Sequence, residues 1–228
     1  TLSEGRGSTF SHRPTHKPEP AFRFTEEETK NFNGSSQGQF LIVSFAILAM
    51  CCLWPYQTMM QTQSFLASKF PDKTSAGFIM MLCTTWPLVI CHAGGLASGS
   101  LRQMSYGSKV FLPGLLVIAI AVILVAVLSF VSNANVLLFS LYVAATALAI
   151  GQSFTEPAAF DMAGLLPSIF TTQALQVGNA GAALLVSCVQ MMTRLASDGN
   201  GEITTEQQLT LTRVYLVIMG CSGAVMVA

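Results

Sequence analysis

The sequence predicts an all-α polytopic membrane protein with about six spans. Hydrophobic residues make up 52% of the 228 positions and charged residues only 10%, giving a mean hydropathy of +0.57, far from the balance of an ordinary soluble domain. The apolar residues are also gathered into long runs, most of them of about 20 residues or more, the length a helix needs to cross some 30 Å of hydrocarbon. Helices are expected because lipid offers no partner to an unpaired backbone group, and a helix satisfies its own.

The first element, residues 1–38, is rich in Ser, Pro, His, Glu and Arg and lacks apolar periodicity, so it is expected to be a disordered tail. Apolar runs follow at residues 39–66, 76–98, 110–131, 135–155, 162–195 and from 211 to 228. Between them, the segments Phe70 to Lys73, Arg102 to Lys109, Ser132 to Ala134 and Ser197 to Gln208 collect Gly, Pro, Asn and charge and read as loops. The sixth run holds only about 15 apolar residues, short of the roughly 20 a span needs. Together with Thr at position 1, this suggests a piece of a longer chain, its sixth span truncated.

Basic residues set the expected orientation. Arg6, Arg13, Lys17, Arg23 and Lys30 lie in the tail and Arg102 and Lys109 in the second loop, against Lys69, Lys73, Arg194 and Arg213 on the opposite side. The excess places the tail in the cytoplasm. Formal net charge is zero and the sequence pI is near 6.7, so there is no clustered basic surface for nucleic acid, which is excluded as a partner.

Several motifs lead nowhere. Cys51, Cys52, Cys83, Cys91, Cys188 and Cys221 all lie in apolar runs, without disulfide or zinc spacing, and read as small buried hydrophobes. His92 has no second ligand at metal-binding spacing. The Asp198 to Ile203 segment resembles the middle of a calcium loop, but Ala196 and Gln207 would then occupy the first and twelfth ligand positions. The Asn33-Gly34-Ser35 acceptor triplet sits on the expected cytoplasmic side, against the first span. No metal and no cofactor is expected.

The informative residues are the polar ones inside the spans. After Trp54-Pro55, the residues Gln57, Gln61 and Ser64 recur at helical spacing and form one polar stripe. Amides facing hydrocarbon are costly, so the stripe faces either a neighbouring helix or an aqueous cavity. In the fourth span, Gln152 is followed by Glu156, Pro157 and Asp161, with no Lys or Arg nearby in sequence. A carboxylate at membrane depth faces a cavity, a partner or a proton path, unless it marks the end of the span. Gly95 and Gly99, Gly178 and Gly181, and Gly220 and Gly223 stand at spacings that let helices approach closely.

Three segments resemble the equilibrative nucleoside transporter family. Phe160-Asp161-Met162-Ala163-Gly164-Leu165-Leu166-Pro167 is similar to the family's Phe-Gly-Leu-Ala-Gly-Leu-Leu-Pro, with Thr171, Gly178 and Gly181 following as its Thr and glycines do. Leu82-Cys83-Thr84-Thr85-Trp86-Pro87-Leu88 resembles the second-span pattern. Pro55-Tyr56-Gln57 stands where the family has Pro-Trp-Asn. The resemblance implies the six-helix N-terminal half of a major-facilitator-like fold with six and then five spans, whose missing C-terminal half would complete the pocket. It also implies that Tyr56, Gln57, Met60, Thr85, Leu88 and Glu156 line a nucleoside pocket, with Gln152 one helical turn before Glu156. An aromatic and apolar wall stacks on a base while amides and carboxylates bond its edge or the ribose hydroxyls. Glu156 departs from the Gln of many members, which introduces proton coupling or a different substrate preference.

The expected function is therefore facilitative transport of a nucleoside or nucleobase across a lipid bilayer, the plasma membrane, by alternating access. It is not an enzyme in this reading. The alternatives are a major-facilitator-type carrier of another small organic solute and a non-transporting membrane scaffold.

Overall fold

A computed structural model describes residues 24–70, 75–99, 104–167, 169–196 and 204–228. Among the described residues the chain forms helices and no strand: α1 (Glu26–Gly34), α2 (Ser36–Lys69), α3 (Ala76–Ser98), α4 (Tyr106–Phe130), α5 (Ala134–Gly164), α6 (Ile169–Ala196) and α7 (Thr205–Val227). Six of these, α2 to α7, are each long and apolar enough to cross a membrane. The chain is an integral, multi-pass membrane protein.

Several boundaries differ from the sequence expectation, the largest for local reasons. Part of the tail read as disordered is helical. Thr25 caps α1 in a reciprocal box: its hydroxyl accepts from the Glu28 backbone N–H, and the Glu28 carboxylate accepts from the Thr25 backbone N–H at 2.8 Å. Residues 1–23 of that tail lie outside the described residues. The first span starts earlier than residue 39, because the Ser35 hydroxyl accepts from the Gly38 N–H at 2.9 Å and caps α2. The fourth span does not stop at residue 155: α5 runs through Pro157 and Asp161 to Gly164, and the next span begins at Ile169 rather than Met162. Finally, α7 starts at Thr205 rather than residue 211, because Thr204 and Gln207 form a second capping box over a polar first turn. With 23 residues it has the length of a span. Asp198 to Ile203, the calcium-like segment, lies outside the described residues.

The Glu28 box carries a pH dependence. Hydrogen bonds from the Thr25 backbone N–H and hydroxyl hold its carboxyl below the ordinary carboxylate range. A depressed folded value means the stabilisation is present above the unfolded value and lost as pH falls through the folded one. Amide protection in α1 should therefore decline as the pH is lowered through and below the ordinary carboxylate range, and Glu28→Gln should remove that decline; protection unchanged on acidification would contradict the box.

α2 is the hub, packed against α3, α5, α6 and α7, while α4 lies against α5 and α7, and α3 against α5. The core joins Met59, Phe65 and Leu66 of α2 to Met80, Leu124, Leu141, Val186, Tyr215 and Met219 from the other five spans. The outward faces are apolar as well: Phe78 and Trp86 of α3, Phe130 of α4 and Phe139 of α5 are exposed. Such faces belong against hydrocarbon, where burying leucine against leucine gains nothing over lipid and close fit and hydrogen bonding carry the association.

Both devices are present. A Cβ at Gly178 of α6 would run into the carbonyl of Ala46 in α2, and one at Gly223 of α7 would stand 2.8 Å from the carbonyl oxygen of Gly114 in α4. The Trp54 indole N–H donates to the Tyr215 carbonyl at 3.4 Å, and the Tyr215 hydroxyl donates to the Val186 carbonyl at 3.1 Å, linking α2, α7 and α6. Tyr142 of α5 donates to the Ala76 carbonyl of α3 at 3.3 Å. Thr171 of α6 donates to the Ala163 carbonyl at 3.0 Å and ties the start of α6 to the end of α5.

Candidate functional site

Polar residues interrupt both α2 and α5, which pack against each other. On α5, Gln152 and Glu156 are one turn apart and share a face with Ala145, Ala149, Ala159 and Ala163. Those four alanines are buried, so Gln152 and Glu156 belong to the inward face of the helix. Extension of α5 to Gly164 places Glu156 two turns inside the helix, not at the span's end. Asp161, by contrast, is exposed.

On α2, Pro55 lies within the helix and withholds a donor from the Cys51 carbonyl, as Pro157 does from the Ser153 carbonyl in α5. Broken backbone pairing of this kind is tolerated in a membrane where neighbouring groups or a cavity compensate it. A small internal cavity of about 10 Å³ lies beside Pro55, lined by Cys52, Gly151, Gln152, Thr155 and Pro113 among others. That is room for about one water molecule. Cys52 is also within electrostatic reach of Glu156. Gln152 and Glu156 therefore sit beside the Cys52 to Pro55 turn of α2.

Tyr56, Gln57, Gln152 and Glu156 are all half-buried, and none hydrogen-bonds to another described residue. Their capacity to donate and accept is open. Met60, one turn beyond Tyr56, is half-buried and its sulfur accepts from the Gln63 amide of its own helix at 3.5 Å.

The polar stripe on α2 divides into two parts with different roles. The Gln61 side-chain oxygen accepts from the Gln190 amide of α6, so Gln61 is an interhelical bond. Gln57, a turn earlier, has no such partner among the described residues. The Ser64 side chain lies outside the described residues.

Thr85 and Leu88 are half-buried on α3, which packs against both α2 and α5. Their neighbour Thr84 is buried and bonds back to the Met80 and Met81 carbonyls at 3.2 and 2.9 Å. Of the expected site residues, Gln152 stands beside Cys52 and Pro55 at the small internal cavity and Glu156 within electrostatic reach of Cys52, while Tyr56, Gln57 and Met60 lie further along α2 and Thr85 and Leu88 on α3. An apolar groove of about 310 Å³ between α2, α6 and α7, lined by Met50, Cys51, Trp54, Leu185 and Ile218, is a separate feature facing lipid-exposed surface.

Two residues escaped the sequence reading. Gln190 is an amide in an otherwise apolar run, and the reasoning applied to Gln57 and Gln61 would have found it. Lys109, read as a loop cation, is only 5% exposed inside the first turn of α4, its ammonium 5.0 Å from the centre of the Tyr106 ring. A cation over an aromatic face keeps part of the stabilisation it loses with water.

No family model and no curated protein matches this chain. The chemistry of the site remains. On α5, an amide and a carboxylate on a face of buried alanines offer donors and acceptors, and α2 carries a phenol and an amide not engaged by other described residues.

Proposed function

We propose that this chain forms part of a membrane carrier for nucleosides or nucleobases that works by alternating access. What supports the reading is the pair Gln152 and Glu156 on the inward face of α5, beside the Cys52 to Pro55 turn of α2, together with Tyr56 and Gln57 further along α2, all inside spans and with hydrogen-bonding capacity not engaged by other described residues. Polar groups of that kind in a bilayer are costly unless a solute, water or a partner meets them. A nucleobase brings an aromatic face for Tyr56 and Met60 and a polar edge for Gln57, Gln152 and Glu156; a ribose adds hydroxyls.

The resemblance of the Pro55 to Gln57, Leu82 to Leu88 and Phe160 to Pro167 segments to equilibrative nucleoside transporters supports the same substrate class. In that reading these six spans are the N-terminal half of a six-plus-five bundle in the plasma membrane. The tail is cytoplasmic, and a C-terminal half supplies the facing wall. Thr85 and Leu88 would join the pocket when that second wall closes over it.

Ligand binding to the folded state raises its melting temperature, by about 2.7 kcal/mol of stabilisation at a hundredfold excess over Kd. The product of the complete reading frame, purified in detergent, should therefore melt higher in adenosine, uridine or hypoxanthine, and Gln57→Leu should blunt the rise. No rise with any of the three would overturn the substrate class.

A further inference from the structure

From the first turn of α4 we infer a binding site for the phosphate group of an anionic membrane phospholipid. The inference does not depend on the carrier reading. Lys109 is the fourth residue of the helix and only 5% exposed. Its ammonium stands 5.0 Å from the centre of the Tyr106 ring, so the side chain runs back to the first residue of α4 and ends at the helix N-terminus. The ring gives the cation a face but no acceptor, and among the described residues Lys109 makes no hydrogen bond and no ion pair. A lysine at the end of a span ordinarily reaches into water. This one is held under the surface, a costly arrangement unless an anion meets its N–H donors.

The same end of α4 holds further donors. The Ser105 hydroxyl caps the helix by accepting from the Ser108 backbone N–H at 3.2 Å, and the Ser105 and Ser108 hydroxyls are 2.8 Å apart. The Ser105 carbonyl is the first acceptor of the helix and takes the Lys109 N–H at 3.2 Å, so the N–H groups of Tyr106 and Gly107 have no helical acceptor. Ser105, Tyr106 and Gly107 are exposed, which leaves this end open to a ligand. Unpaired N–H groups and the helix dipole both favour an anion there. The chain supplies none: the first turn has no acidic residue. Val110 shares a buried cluster with Ala158 near the end of α5, and Asp161 beyond it is exposed and forms no ion pair with Lys109.

Depth and the adjoining surface favour a lipid over a soluble anion. The first turn of a span lies at headgroup level, where phospholipids carry their phosphates. Ser105, Ser108, Leu112 and Leu115 recur at helical spacing along one side of α4, and the two leucines are exposed. A phosphate on the two hydroxyls leads its acyl chains onto the leucines. In a zwitterionic lipid the headgroup's own ammonium offsets the phosphate, whereas an anionic headgroup leaves its charge for Lys109.

The test uses the product of the complete reading frame, purified in detergent. Native mass spectrometry measures phosphatidylglycerol and phosphatidylcholine retained on the folded protein, and melting is followed with each lipid and with inorganic phosphate. Phosphatidylglycerol should be retained and raise the melting temperature, with phosphatidylcholine weaker. Lys109→Met should weaken phosphatidylglycerol binding by about tenfold or more, the worth of one charge-assisted hydrogen bond, and Lys109→Arg should keep most of it. Ser105→Asp retains a good helix cap, and with it the fold, but sets a carboxylate where the phosphate belongs and should also lose the lipid. Arg213→Gln, far along α7 from the Met226 that clusters with Val110, should bind normally. Undiminished retention by Lys109→Met or by Ser105→Asp would overturn the site. Equal retention of the two lipids would overturn the preference for an anionic headgroup. A melting rise in inorganic phosphate that equals the rise in phosphatidylglycerol and disappears in Lys109→Met would make the ligand a soluble phosphate and overturn the lipid.

Discussion

Replacing Gly178 with leucine should all but eliminate the folded bundle. The glycine lies where α6 presses on α2, and even a methyl group there would meet the backbone carbonyl of Ala46 and the Cβ of Ala49. A carbonyl in mid-helix cannot turn aside as a long side chain can, so the two helices must separate. α2 is the hub against which α3, α5, α6 and α7 all pack, and its separation from α6 also pulls on the Gln61–Gln190 pair. Overpacking costs typically about 1–3 kcal/mol and sometimes more. In a membrane no gain from hydrophobic burial offsets that loss of fit. The expected result is a large drop in monodisperse protein after detergent extraction and a lowered melting temperature. Gly181→Leu is the control, since a Cβ there meets only the flexible end of Met50, at 3.8 Å. Equal behaviour of the two variants would mean that α2 and α6 do not meet at Gly178.

Gln57→Leu and Gln61→Leu should fail in different ways although the residues are one turn apart on one stripe. Gln61 is held by Gln190, so its loss leaves the Gln190 amide without that acceptor and weakens the bundle, by about 0.6–2 kcal/mol for an interhelical bond in a membrane. Its effect belongs to stability and should leave the apparent KM for solute nearly unchanged. Gln57 bonds to no other described residue, so leucine there should leave folding intact. If Gln57 holds the solute, losing one buried hydrogen bond of about 1–3 kcal/mol lowers affinity roughly 5- to 150-fold. Uptake kinetics normalised to the amount of protein in the membrane separate the two cases. A shifted KM in Gln61→Leu with none in Gln57→Leu would reverse the assignment.

The residues themselves explain what could be read from the sequence. The six spans were legible because hydrocarbon demands about 20 apolar residues in a row and the composition supplied them. Their ends were not, because caps are local and polar. Thr25 with Glu28 and Thr204 with Gln207 start helices in segments whose hydropathy reads as loop. Pro157 and Asp161 made the end of α5 look like a break, although a membrane helix can continue through a proline when neighbours compensate the lost bond. Gln57 and Gln61 are the same residue type on the same stripe, and only the position of Gln190 on α6 distinguishes an interhelical clamp from an available amide. Spacing within one helix carries no information about which residue of another helix stands opposite. Glu156 was visible as a carboxylate in an apolar region, but its inward direction became clear only with the burial of the alanines around it. Gly178 and Gly223 were legible as points of close approach, while Gly181 and Gly220, which looked equivalent, make ordinary contacts.

Uptake of labelled adenosine, uridine and hypoxanthine into cells expressing the complete reading frame most directly tests whether the α2 and α5 polar segments form a solute site. Saturable entry of at least one of them above vector controls, with a raised KM in Gln57→Leu and an unchanged KM in Gln61→Leu at matched membrane abundance, is the expected result. Entry of none of the three, with the protein present in the membrane, would contradict it.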